Sequence, residues 1–280
     1  MQAPEHSKQM LEMLLSQYDQ THLLRFWDEL PPSSQRQLAK QIKAMDWETI
    51  TAWLKENLQG NQSTVTDTGS TSTIAPASYY PATARDEEQV AMYQRAVETG
   101  KESLKKGRVA AFTVAGGQGT RLGFDGPKGT FPISPIQGKS LFQLFAEMLL
   151  RASEKYGQTI PWYIMTSPLN DQATRNYFGD NQFFGLEPNN VTFFPQGTLP
   201  AFDFNAKALL EAKDSLALSP DGHGGAFDAL SQSGALADMK RRGIEHITYW
   251  QVDNPLVQPF DPLFIGLHDQ LGSDMSSRSL

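Results

Sequence analysis

An apolar run at residues 109–115 breaks directly into VAGGQGTRLGFDGPKGTFPIS, a stretch from Val114 to Ser134 that holds six of the chain's 22 glycines. A continuous apolar run bounded by glycine reads as a strand buried on both faces. The glycines at its end remove Cβ atoms, so that backbone N–H groups can close on an anion. The chain must therefore build a fold in which a buried strand delivers a ligand-holding loop.

Two common phosphate loops fail on spacing. A dinucleotide fold needs Gly-x-Gly-x-x-Gly, whereas Gly117 and Gly119 are followed by Leu122, with Gly123 one place late. A Walker-type loop needs Gly-Lys-Ser/Thr opening a helix, whereas Lys128 stands between Pro127 and Gly129. What remains is a strand, Gly-Gly-x-Gly-Thr-Arg, and then Pro-Lys. Arg121 offers a planar fork to two phosphate oxygens and Lys128 a compact point charge. That combination suits a nucleoside triphosphate.

The surroundings predict an α/β sheet, mostly parallel. Asp86 opens a helix with Gln89 as a capping-box partner, and Gly107 ends it; Ser140 caps another helix whose apolar face is Leu141, Leu144, Phe145, Met148 and Leu149. Strands are expected at 161–166, 191–194 and 244–252, with helices at 171–178 and 227–241 between them. Upstream, residues 7–58 read as three short helices restarted at Pro31-Pro32-Ser33, and 60–78 is a Ser/Thr-rich linker or strap. The expected organisation is a helical extension over 1–59, the linker over 60–85 and the α/β core over 86–280. The final SDMSSRSL reads as the entry to another strand, so the core is expected to be incomplete at its C-terminal end.

With 24 Lys plus Arg against 31 Asp plus Glu, the net charge of −7 argues against a nucleic-acid-binding surface. Cysteine is absent, which removes disulfides, thiolate metal sites and cysteine nucleophiles. No stretch approaches the ~20 apolar residues of a membrane span, and MQAPEHSKQM lacks a leader's apolar segment. A cytoplasmic protein without nucleic-acid or membrane partners is the expectation.

VAGGQGTRLG with PKG, then FFPQGTLPAFD, PDGHGG and VDN, fall in the order shown by the pyrophosphorylases that use UTP, and they resemble the UDP-N-acetylhexosamine pyrophosphorylase branch. The resemblance implies a Rossmann-like nucleotidyltransferase core and a uridylyltransferase that converts UTP and a sugar 1-phosphate to UDP-sugar and pyrophosphate, with Mg²⁺. It implies that Val114, Ala115, Gly116 and Gly117 contact the uridine and that Gly119, Thr120 and Arg121 wrap the triphosphate. Arg121 and Lys128 steady the leaving pyrophosphate, Gln196 and Gly222 recognise the base, and Asp253 holds the metal beside the nucleotide. His223 is assigned to the sugar phosphate. At that place the hexosamine branch tends to carry Asn, and histidine is similar to the UDP-glucose branch, which leaves N-acetylglucosamine 1-phosphate and glucose 1-phosphate both open.

The positions of three candidates along the chain point the same way without any family. The glycine loop, Gln196 and Asp253 each follow a different expected strand, and open α/β sheets bind ligands at the strands' carboxyl ends. Two rivals stand beside the enzyme: a non-catalytic uridine-nucleotide sensor with the helical extension as its partner-binding part, and a transferase using another base.

Overall fold

A computed structural model of the chain describes residues 8–58 and 79–279. It opens with α1 (Lys8–Ser16), α2 (Pro32–Ala44) and α3 (Trp47–Leu58). Pro32 starts α2, where a missing N–H costs nothing because the first turn leaves it unpaired. The Ser/Thr-rich stretch of 60–78 lies outside the described residues. Next comes α4 (Glu87–Lys105). Asp86 Oδ1 accepts from the Gln89 N–H at 2.8 Å, while Gln89 Oε1 accepts from the Arg85 N–H at 2.9 Å.

The chain then alternates through β1 (Val109–Val114), α5 (Leu141–Tyr156), β2 (Trp162–Thr166), α6 (Asp171–Asp180) and β3 (Val191–Pro195). Four short strands follow, β4 (Thr198–Pro200), β5 (Leu210–Ala212), β6 (Ser215–Leu216) and β7 (Leu218–Pro220). Completing the fold are α7 (Ala226–Gln232), α8 (Ala235–Arg241), β8 (His246–Gln251) and α9 (Pro262–Gln270). The main sheet has the order β3-β2-β1-β8, and every pairing in it is parallel. This is the α/β sheet flanked by helices that the alternation predicts.

Period-two alternation along the central strands sorts the two faces. Val109, Ala111, Trp162 and Ile164 pack with Phe142, Phe145 and Leu149 of α5. Ala110, Phe112, Tyr163 and Met165 pack with Ala229 and Leu230 of α7 and with Met239 of α8. Each large side chain removed from water here contributes about 1.5–3 kcal/mol. Covering both faces is why β1 and β2 are apolar apart from the buried Thr113 and Thr166.

The single helix expected over 227–241 is instead two. Gly234, at φ +80°, stands in the left-handed region between α7 and α8 and turns the chain where an L side chain would be strained.

The chain divides into two compact units, one with the N-terminal helices and Thr198–Asp221, the other with Tyr79–Gly197 and Gly222–Leu280. In the first, Leu11, Leu15, Leu23, Leu38 and Ile42 share a core with Ala208 and Leu216. Buried Gln20 ties the pieces together, donating to Ala206 O at 2.7 Å and accepting from the Ala208 N–H at 2.9 Å. The sequence-based boundaries run in order along the chain and do not anticipate this excursion. A two-stranded β5–β6 pair is too small to bury its own apolar face and takes its core from helices far away in sequence.

In the second unit, α4 meets α9 at two glycines. A Cβ on Gly100 would lie 1.9 Å from Pro262 O, and one on Gly266 would lie 1.7 Å from Ala96 O. Backbone meets backbone, so no side chain can yield. Gly266→Ala is therefore expected to destabilise by about 1–3 kcal/mol or more. Gly179→Ala in α6, where the space is open, should be neutral or stabilising by up to about 1 kcal/mol. Urea midpoints of the two variants against wild type check the pair, and equal midpoints would contradict the close crossing.

Candidate functional site

The sheet's carboxyl edge sets the site. Past the end of β1, the Ala115 N–H donates to Met165 O at 2.7 Å. After β3, the Gln196 N–H donates to Thr166 O at 2.8 Å, and after β8 the Val252 N–H donates to Val114 O at 2.9 Å. Three loops therefore leave one edge at the same level.

The glycine loop then folds on itself. Gly119 N–H donates to Gly126 O at 2.9 Å, and Lys128 N–H donates to Gly117 O at 3.0 Å, which brings the two ends of the loop side by side. Asn170, fully buried at the start of α6, clamps its base by donating to Ala115 O at 3.0 Å and Gly117 O at 3.3 Å. Its own Oδ1 accepts from the Ser167 N–H at 2.8 Å. Within this ring the N–H groups of Gly116, Gly117 and Gln118 donate to nothing among the described residues. Three consecutive amides are thus available to a ligand's acceptors.

Glycine is required at two places by what lies against it. A Cβ on Gly116 would stand 2.8 Å from Gln196 Oε1, so the carboxamide rests on bare backbone. Gly119 is pressed by the Phe124 ring, 2.7 Å from an added Cβ, and its N–H is already taken by Gly126. Beside Gly117 runs the Lys128 side chain, with Nζ 3.6 Å from where a Cβ would be.

Lys128 Nζ reaches Asp253 Oδ2 at 2.8 Å. That hydrogen bond holds the Asp253 carboxyl below the usual aspartate range, and the Arg121 charge adds to the effect. Arg121 sits in the short 3₁₀ turn Thr120–Leu122, is exposed, and makes no ion pair among the described residues. No group of three or more His, Asp or Glu side chains that could hold a metal occurs among the described residues. Asp253 thus stands as a single carboxylate.

The structure brings together Gly116, Gly117, Gln196, Lys128 and Asp253, with Arg121 within electrostatic reach of Asp253. Val114 ends β1 and Ala115 follows it directly, next to Gly116. Gly222 is exposed at φ +71° with open space around it, and no hydrogen bond ties it to the loop. His223, just before α7, has its Nδ1 hydrogen-bonded to the Tyr249 hydroxyl on β8.

Residues 58–275 match the family described as UTP–glucose-1-phosphate uridylyltransferase. The chain belongs to that family. It is 36% identical over 281 residues to UDP-N-acetylglucosamine diphosphorylase 1 of Arabidopsis thaliana, an alignment covering 97% of this chain and 54% of that protein. It is likewise 36% identical over 265 residues to a probable UDP-N-acetylglucosamine pyrophosphorylase of Schizosaccharomyces pombe, covering 89% of this chain and 54% of that protein. Its fold is similar to the crystal structure of the uridine diphosphate N-acetylglucosamine pyrophosphorylase from Trypanosoma brucei in complex with inhibitor, at a TM-score of 0.78 and 26% identity, covering 96% of this chain and 56% of that one. These findings bear out the resemblance carried by the four motifs. The chain spans about half the length of the relatives it matches. No described helix is long and apolar enough to cross a membrane.

Sequence reasoning missed Asn170 and Tyr249. For Asn170 a signal existed, since it follows strand β2 by a few residues and the carboxyl ends of parallel strands line such sites. Tyr249 gave none.

The ion pair has a titration signature. Because the folded-state value of Asp253 is lowered, its contribution to stability is present above the unfolded aspartate value and is lost as pH falls through the lowered one. In Lys128→Met the carboxyl should titrate nearer the ordinary ~3.9. A carboxyl-detected NMR titration of both proteins checks this, and identical curves would contradict the pairing.

Proposed function

We propose that this chain forms the nucleotide-binding part of a uridylyltransferase that joins UTP and a sugar 1-phosphate, giving UDP-sugar and pyrophosphate. A non-bridging oxygen of the sugar phosphate attacks the α-phosphorus, the bond to the bridging oxygen of the β-phosphate breaks, and pyrophosphate leaves with that electron pair. No protein nucleophile takes part, and catalysis is by positioning and charge. The observation that carries the reading is the Gln196 carboxamide resting on Gly116 while Lys128 and Asp253 meet beside Gly117. A carboxamide donates and accepts at once, as the imide edge of uracil requires. Gly222 adds backbone contact to the base.

From the base, the triphosphate runs over the free amides of Gly117 and Gln118 toward Gly119, Thr120 and Arg121. Lys128 exchanges its carboxylate partner for phosphate oxygens, and with Arg121 it stabilises the leaving pyrophosphate. The half-exposed Asp253 carboxylate fits magnesium, which prefers one or two carboxylates completed by phosphate oxygens and water. When bound there, the ion supplies positive charge to the phosphates. His223 serves the sugar-phosphate side. N-acetylglucosamine 1-phosphate is the favoured acceptor, because the Arabidopsis and S. pombe relatives are named for that sugar.

The test is pyrophosphate release by the intact protein with UTP, Mg²⁺ and a panel of sugar 1-phosphates. Lys128→Ala should lower kcat by about 10²–10³ with a smaller change in UTP affinity. Gln196→Ala should raise KM for UTP and narrow its preference over other nucleoside triphosphates. Asp253→Ala should cost turnover far more than nucleotide affinity. A protein that binds UTP but releases no pyrophosphate with any sugar would be a nucleotide sensor instead.

A further inference from the structure

Tyr249 belongs to no motif, yet its hydroxyl meets His223, the residue assigned to the sugar phosphate. It lies on β8 in register with Phe112 of β1, and the two rings meet edge to face with centroids 5.4 Å apart. Phe112 in turn stacks on Phe194 at 5.9 Å, two residues before Gln196. A row of three rings thus crosses the α7/α8 side of the sheet from the edge strand toward the glutamine. At its outer end the Tyr249 hydroxyl meets His223 Nδ1, with ring centroids 6.2 Å apart and planes at 77°. Neither polar group has another hydrogen-bond partner among the described residues.

We propose that Tyr249 is a positioning residue for the sugar-phosphate half of the site: its O–H donates to His223 Nδ1, which puts the imidazole proton on Nε2 and presents that N–H to an acceptor oxygen of the sugar phosphate. The inference rests on the uridylyltransferase reading and on His223 serving the sugar side. A neutral imidazole has one donor and one acceptor nitrogen, and the bond made by one nitrogen fixes the tautomer of the other. The phenol is the donor of this pair. Its lone pair is delocalised into the ring and accepts poorly, whereas the bare imidazole nitrogen accepts well. Burial also pushes the Tyr249 hydroxyl above its ordinary value, so it keeps its proton.

The consequence is a choice of ligand chemistry. An Nε2–H donor selects an oxygen lone pair, such as a sugar hydroxyl, an acetamido carbonyl or a phosphate oxygen. The opposite tautomer would set lone pair against lone pair at the same spot. Because the ring row holds Tyr249 in place, His223 arrives with its donor set before the ligand binds.

Two measurements on the intact protein test this. With ¹⁵N-labelled histidine at about pH 8, above the ordinary histidine range, long-range ¹H–¹⁵N correlation should show wild-type His223 as the Nε2–H tautomer. Tyr249→Phe should show mixed tautomers. By calorimetry, Tyr249→Phe should weaken binding of UDP-N-acetylglucosamine by about three- to tenfold while leaving UDP unchanged, the size of one lost neutral hydrogen bond. In a His223→Ala background the same change should have no further effect. An Nδ1–H tautomer in the wild type, or unchanged UDP-sugar affinity in Tyr249→Phe, overturns the proposal. If His223→Ala leaves UDP-sugar affinity intact although the tautomer is as stated, the sugar-side reading of His223 has failed and the proposal falls with it. The tautomer measurement separates those two failures.

Discussion

Everything at the site depends on parallel strands that stop in step. Ala115 and Gln196 each add one more rung to the end of β2, through Met165 O and Thr166 O, and Val252 does the same to Val114 O. Slipping one strand by a residue would turn its side chains to the opposite face and move its loop by about 3.3 Å. The covered core on both faces prevents such a slip, because Trp162 and Tyr163, adjacent in sequence, are each committed to a different layer. Packing is therefore what places chemistry here.

On that edge, small residues and charges divide the work. Gly116 gives up its side chain so that Gln196 can lie on the backbone, and Gly119 gives up its own so that Phe124 can close the loop. Asn170 fixes the loop from beneath, using both ends of one buried amide. Lys128 and Asp253 neutralise each other beside Gly117, and in the proposed reaction a phosphate with its counter-ion would replace each by a partner of the same sign. A partly exposed pair of this kind adds little to stability. Its value lies in keeping a cation and a carboxylate poised at one point.

Much of this was legible in the sequence, for a physical reason in each case. A strand covered on both faces is apolar along nearly its whole length, which is why β1 and β2 announced themselves. Ser140 and Asp86 could be read as caps because a helix's first N–H groups need an acceptor within three residues, and both side chains make that bond. Gly116, Gln196 and Asp253 could be gathered on one edge because a parallel sheet leaves its loops there. What stayed hidden depends on contacts between segments distant in sequence. Ala208 and Leu216 bury themselves against helices nearly two hundred residues earlier, a pairing no local pattern encodes. Gly234 splits a run whose apolar period continues through it. Tyr249 looks like any half-exposed strand residue until the loop before α7 brings His223 onto it.

The most direct test of the central claim is a crystal structure of the protein with UTP and magnesium. The account predicts the uracil edge on the Gln196 carboxamide, phosphates along the amides from Gly117 toward Arg121, and Lys128 Nζ drawn off Asp253 onto phosphate oxygen. Nucleotide lodged elsewhere, with those N–H groups turned away and the Lys128–Asp253 pair intact, would contradict it.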